Sequence, residues 1–140
     1  MKTRTYVTEL TFKDLADILS PGFTDIFSVE YIERYNNLKK GDFYEDRLAN
    51  ILLAGGKIGI VDNYAEGDIN GKGYIPTEFR DDGAVLYEVG LQDVKHGIEK
   101  ALNGAPHERR IMQHYFDGQY DADDAQNLMQ IIVFGEEIYG

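Results

Sequence analysis

The stretch YDADDAQNLMQIIVFGEEIYG, residues 120–140, constrains the fold more than any other part of the chain. Asp121 or Asp123 can cap a helix, and Asp121, Asp123 and Asp124 sit where the positive end of a helix favours carboxylates. Behind them Ala125, Leu128, Met129, Ile132 and Val133 recur at i, i+3, i+4, i+7 and i+8, the stripe of a helix packed on a core. Ile131 and Phe134 widen that stripe until little of the surface is left for water, so this helix belongs at the centre of a small domain. Gly135 loosens or ends it, leaving Glu136, Glu137, Ile138 and Tyr139 as a tail able to dock.

The remaining elements must supply what surrounds such a helix. Thr5 to Leu10 alternates as a strand does, and Thr11 with Asp14 forms a short capping box for a helix that buries Phe12, Leu15, Ala16, Ile18 and Leu19. Ser20-Pro21-Gly22 stops it. The spacing of Val29, Ile32 and Tyr35 predicts a second helix over 28–38, and Tyr44, Leu48, Ile51 and Leu52 predict a third over 43–54, closed by Gly55-Gly56. Residues 57–64 read as a strand in which Gly59 marks a bulge or a close backbone approach. A polar, glycine-rich excursion fills 65–83. Residues 84–89 return as a strand, 92–102 as a helix ended by Asn103-Gly104, and Pro106 opens a helix carrying Ile111, Met112, Tyr115 and Phe116 before Asp117-Gly118 turns the chain. The order β-α-α-α-β-β-α-α-α predicts an α+β fold over a single domain, 1–140: a small antiparallel sheet of about three strands packed with five to six helices.

Composition narrows the function classes. With no cysteine there are no disulfides, thiolate nucleophiles or zinc–thiolate sites. The N-terminus has no apolar signal region and no run approaches a membrane span, which predicts a cytoplasmic protein without membrane contact. The net charge of −11 is uneven: residues 1–57 carry eight Lys/Arg against nine Asp/Glu, whereas residues 58–140 carry six against sixteen. Direct binding to nucleic acid needs clustered cations, so this surface does not provide it. The acidity suits a basic partner, or solubility alone.

Chemical motifs are sparse. Asp68-Ile69-Asn70-Gly71-Lys72-Gly73-Tyr74-Ile75 is similar to the first eight positions of a calcium-binding EF-hand loop, but Lys72 places a cation where an oxygen ligand belongs. The twelfth position, which needs a bidentate acid, is Phe79, with Glu78 one place early. The segment therefore reads as a glycine-rich turn, and no cofactor or metal is expected. Gly67, Gly71 and Gly73 lack the Gly-Lys-Ser/Thr of a phosphate loop. His107-Glu108 begins like a zinc-protease helix but has Ile111 where the second histidine belongs. His107 and His114 share one helix without an identified third ligand, and His96 reads as a solvated helix residue. The only serines, Ser20 and Ser28, are helix-boundary residues, and the adjacent acid pairs read as solvated or capping groups. No catalytic residue emerges, and the chain is not expected to be an enzyme.

What the second half does offer is acids among aromatics: Tyr64, Tyr74, Phe79, Tyr87, Tyr115, Phe116, Tyr120 and Tyr139. Tyrosine presents apolar area with a polar tip, as interfaces favour, although Tyr87 and Tyr115 read as half-buried core residues. The exposed carboxylates expected to meet a partner are Asp81, Asp82, Asp117, Asp121, Asp123 and Asp124.

The closing pattern D-A-D-D-A-x-x-L-x-Q-x-x-x-F-G-E-x-x-Y-G resembles the ending of small acidic proteins encoded by bacteriophages and mobile elements. Gly55 to Val61 and Tyr87 to Ile98 also resemble segments of those proteins. The resemblance spans about the last two-thirds of the chain, rests on structural motifs and carries over no catalytic residues. It implies an accessory protein acting on a host component. The acidic second half adds the expectation of a non-enzymatic protein that binds the basic surface of a host nucleic-acid-handling protein as a DNA mimic does, in the manner of anti-CRISPR or anti-restriction inhibitors. A nucleotide- or calcium-binding module centred on residues 62–78, and a virion structural or assembly protein, are the alternatives.

Overall fold

The computed structural model describes residues 10–65, 78–80 and 83–139. The strand expected at 5–10 (apart from Leu10), the calcium-loop-like segment 68–75 and the acid pair Asp81-Asp82 lie outside these residues. Helix α1 (Phe12–Leu19) begins as expected: the Thr11 hydroxyl accepts from the Asp14 N–H (3.1 Å) and the Asp14 carboxylate accepts from the Thr11 N–H (3.2 Å). A short 3₁₀ turn, Ser20–Gly22, follows it.

The helix expected over 28–38 does not form. Residues Phe27–Tyr31 are instead a strand, β1, and Glu33–Leu38 a separate 3₁₀ segment. The periodicity was ambiguous: Phe27, Val29 and Tyr31 alternate with Ser28 and Glu30 as readily as Val29, Ile32 and Tyr35 repeat at helical spacing. The sheet decides between them, because β1 gives β2 (Lys57–Asp62) an antiparallel neighbour, with Phe27 opposite Asp62 and Glu30 opposite Gly59. Gly59 is needed there. A Cβ at that position would lie 2.7 Å from the Glu30 carbonyl oxygen.

Helix α2 (Tyr44–Leu53) connects β1 to β2. A two-residue strand, β3 (Glu78–Phe79), and β4 (Val85–Gly90) complete an antiparallel sheet of order β1-β2-β4-β3. β3 falls in the stretch expected to be wholly irregular; three longer strands form the body of the sheet. The fold is α+β, with five α-helices among the described residues. β4 passes into α3 (Leu91–Leu102) without a loop, and Asp93 accepts from the Gly90 N–H (2.8 Å) to cap the junction. Helices α4 (Pro106–Phe116) and α5 (Ala122–Phe134) follow. No helix among the described residues is long and apolar enough to cross a membrane.

Helix α5 occupies the centre, as its sequence requires. Leu128, Met129, Ile132, Val133 and Phe134 are buried, and Phe134 meets the rings of Phe27 (5.9 Å) and Tyr87 (5.5 Å) from the inner sheet face. Gly22 of the 3₁₀ turn and Gly97 of α3 let their backbones approach α5 closely. A Cβ on Gly22 would stand 3.3 Å from the Ala125 carbonyl oxygen, and one on Gly97 2.9 Å from the Ile132 Cα. Gly135 ends the helix with φ +82°, a left-handed conformation suited to glycine. The tail does dock: the fully buried Gln130 accepts from the N–H groups of Ile138 and Tyr139, both at 2.8 Å.

Candidate partner-binding face

Helices α4 and α5 meet at a sharp corner, residues 117–121, and the expected partner-binding acids that can be placed gather there. Asp117 closes α4, is exposed, and accepts from Gln113 Nε2 at 3.0 Å. Gly118, with φ +75°, turns the chain. Asp121 is the exposed N-cap of α5 and accepts from the Asp124 N–H at 2.8 Å; Asp123 is exposed in the first turn. Asp124 corrects the expectation. It is only 9% exposed, and its Oδ2 accepts from the Asp121 N–H (3.2 Å) and meets His114 Nδ1 (2.9 Å). A carboxylate three residues beyond an N-cap turns back to complete the capping box, so Asp124 lies over the cap and is not an exposed charge.

The electrostatics of this corner are one-sided. From Ile111 to Gly140 there is no lysine or arginine, against six Asp/Glu. The histidines of α4 are held in carboxylate pairs: His114 with Asp124, and His107 Nε2 with Glu137 Oε2 at 3.1 Å. Burial raises the Glu137 carboxyl above its ordinary range, and His107 opposes that shift. His96 is exposed on α3. No three His, Asp or Glu among the described residues are grouped to hold a metal ion.

Beside the corner lies an open groove of about 680 Å³ between α1 and α4, walled by Tyr115, Phe116, Tyr120 and Pro21, with Asp14 and Asp17 on the α1 side. The tyrosine rings are fixed by their own hydroxyls. Tyr115 donates to Asp14 Oδ1 (2.8 Å) and Tyr120 to the Ile18 carbonyl (2.7 Å), and the two rings meet edge to face at 5.5 Å. Phe116 is 52% exposed, unusual for a residue of its size. Lys13, the one lysine or arginine among the described residues that line the groove, is ion-paired to Asp17 Oδ2 along α1. Asp17 carried no sequence signal, and the groove could not be read from the chain because its two walls are about a hundred residues apart in sequence.

A second polar cluster lies inside the protein. Asp62, at the end of β2, is fully buried and accepts from the Tyr139 hydroxyl (2.6 Å) and the Tyr64 N–H (2.9 Å). Burial pushes its carboxyl above the ordinary carboxylate range, against the pull of these hydrogen bonds. Tyr87, expected to be half-buried, is 1% exposed; its hydroxyl has no hydrogen-bond partner among the described residues. Burial, then the nearby Asp62 charge, push that hydroxyl up to about 12. Of the ligand-binding alternative at 62–78, only residues 62–65 and 78 are described, and Asp62 there is occupied by internal donors.

This cluster predicts a pH effect. A carboxyl raised on folding binds its proton more tightly in the folded state. It therefore contributes stability below the unfolded value of about 3.9, and that stability is lost as pH rises through the folded value. Asp62→Asn removes the term. The melting temperature of the variant minus that of the wild type should climb as pH rises from about 4 towards neutrality. A difference that is flat with pH, measured by thermal melts across that range, would show that Asp62 is not held above its usual value.

Compared with known proteins, the chain matches no family model, no curated protein and no solved structure.

Proposed function

We propose that this chain is a non-enzymatic binding protein that uses its acidic α4–α5 corner to occupy the basic surface of a nucleic-acid-handling protein, as a DNA mimic does. The observation that carries this reading is the corner itself. Asp117, Asp121 and Asp123 are exposed together on a segment that has no lysine or arginine to neutralise them. Carboxylates presented from a helix end and a helix start are held by backbone geometry and hydrogen bonds, so they reach a partner with little ordering cost. The phage or mobile-element setting suggested by the closing sequence pattern, with a CRISPR effector or restriction enzyme as target in the host cytoplasm, belongs to the same proposal.

The test is capture from host lysate at low salt, followed by elution with duplex DNA or with rising salt. A basic target should be displaced by DNA, because both ligands need the same cations. The double variant Asp117→Lys with Asp123→Lys should associate more slowly. Its deficit should narrow as the Debye length shrinks from about 10 Å at 0.1 M to about 3 Å at 1 M salt. Asp121 is left intact, since losing an N-cap costs about 1 kcal/mol of stability and would confuse the result. A folded double variant with unchanged low-salt association would end this reading.

A further inference from the structure

We propose that the Tyr139 side chain is a tethered occupant of a binding site for a hydroxyphenyl group, formed by Asp62, Tyr64 and Phe134, and that the tail swings out at Gly135 to admit a free phenol. This inference uses none of the α4–α5 acids and stands independently of the partner-binding reading.

A hydroxyphenyl group needs ring contacts for its apolar body and an acceptor for its hydroxyl. Both surround Tyr139. Its ring meets Phe134 (5.9 Å) and Tyr64 (5.7 Å) edge to face, and its hydroxyl donates to Asp62 Oδ2 at 2.6 Å. The seat belongs to the body of the fold. Asp62 is fully buried at the end of β2 and also accepts from the Tyr64 N–H. The Tyr64 hydroxyl donates to Asp25 Oδ1 at 2.6 Å, and Phe134 is braced by the rings of Phe27 and Tyr87. None of these supports comes from the tail, so the seat persists when the tail leaves. A buried carboxylate deprived of its hydroxyl donor then favours an occupant that restores it. A ring without a donor leaves Asp62 short of a hydrogen bond, and an anionic ring is repelled by its charge.

The attachment of the tail is of a kind that opens. Residues 136–139 form no helix or strand and are partly exposed. Side chains of α4 and α5 hold them: Gln130 accepts from the Ile138 and Tyr139 N–H groups (2.8 Å each), and His107 Nε2 pairs with Glu137 Oε2 (3.1 Å). Segments outside the helical and strand ladders open at lower free energy than the core they cover. Gly135, at φ +82°, supplies the pivot, since glycine reaches other backbone conformations at no steric cost.

The experiment follows amide hydrogen exchange of the intact protein alone, with p-cresol (the tyrosine side chain as a free molecule) and with toluene, which lacks the hydroxyl. The Ile138 and Tyr139 amides should exchange at least about a hundred-fold faster than those of residues 128–133 in α5, because the tail opens while the core stays closed. p-Cresol should speed the two tail amides by the factor 1 + [L]/Kd, where Kd is its affinity for the vacated seat, and leave α5 unchanged. The tethered ring competes at an effective concentration on the order of millimolar, so p-cresol is used in that range. Tyr139→Ala empties the seat outright. Its melting temperature should rise with p-cresol, and its affinity for toluene should be about ten-fold lower. Tail amides that exchange at the rate of α5, or that p-cresol does not accelerate, would overturn the site. So would a folded Tyr139→Ala protein that p-cresol fails to stabilise or that toluene stabilises equally. If Tyr139→Ala does not fold, the wild-type exchange rates decide the matter alone.

Discussion

Replacing Ile132 by aspartate is expected to abolish folding: no cooperative melt, and a far-ultraviolet spectrum without the helical signature of the wild type. Ile132 is fully buried on α5 and packs against Gly97 on α3. The substitution removes the transfer energy of a buried isoleucine, about 2–3 kcal/mol, and adds an unpaired carboxylate that costs several more. Domains of this size hold about 5–15 kcal/mol in all, so the sum takes most of the stability. The nearest buried polar group on the helix, Gln130, already serves the Ile138 and Tyr139 N–H groups and is no partner for a new charge. Ile132→Val should cost only about 0.5–1.5 kcal/mol and melt cooperatively, which separates loss of the core from a general intolerance of the position. A soluble, cooperatively melting Ile132→Asp protein would contradict a central α5.

The second large effect runs against the usual rule for helical glycines. Glycine to alanine within a helix normally gains about 1 kcal/mol. At Gly97, inside α3, the new methyl would stand 2.9 Å from the Ile132 Cα and nearer still to its Cγ1. The Cγ1 end can rotate away. The Cα cannot, so α3 and α5 must move apart and loosen the packing that both helices share. Overpacking of this kind costs about 1–3 kcal/mol beyond the lost propensity gain, and Gly97→Ala should lower the melting temperature by on the order of 5 °C. The double variant Gly97→Ala with Ile132→Ala should lose less than the sum of the two single losses, because helices already held apart by the new methyl have less of the Ile132 packing left to lose. Strict additivity, or a higher melting temperature for Gly97→Ala alone, would mean the helices are not in contact at this point.

Both results turn on α5, whose position could be read directly from its residues. A helix with apolar side chains on nearly every face has no stable place except between other elements, whatever those elements are. Capping was legible for the same reason. Thr11 with Asp14, and Asp121 as the N-cap of α5, act within one turn, and Gly135 adopts the left-handed conformation that glycine tolerates. These are short-range effects, decided by neighbours along the chain.

Residues 27–38 show where local reasoning gives out. Their pattern suits helix and strand about equally, and the choice was made by β2, which runs antiparallel to β1 and brings Gly59 against the Glu30 backbone. Asp124 is a second case. Its place in a run of acids suggested an exposed charge, but the turn of the helix carries it back over the cap and against His114. The acids at 117, 121 and 123 were visible in the sequence. Their neighbours were not, because the α1 wall of the groove, the Tyr139–Asp62 hydrogen bond and the Gly97–Ile132 contact each join residues far apart in the chain. Periodicity and capping follow from bonds and sterics within a few residues of each other. A groove or a buried carboxylate depends on which distant surfaces pack together, and only the closed tertiary structure sets that.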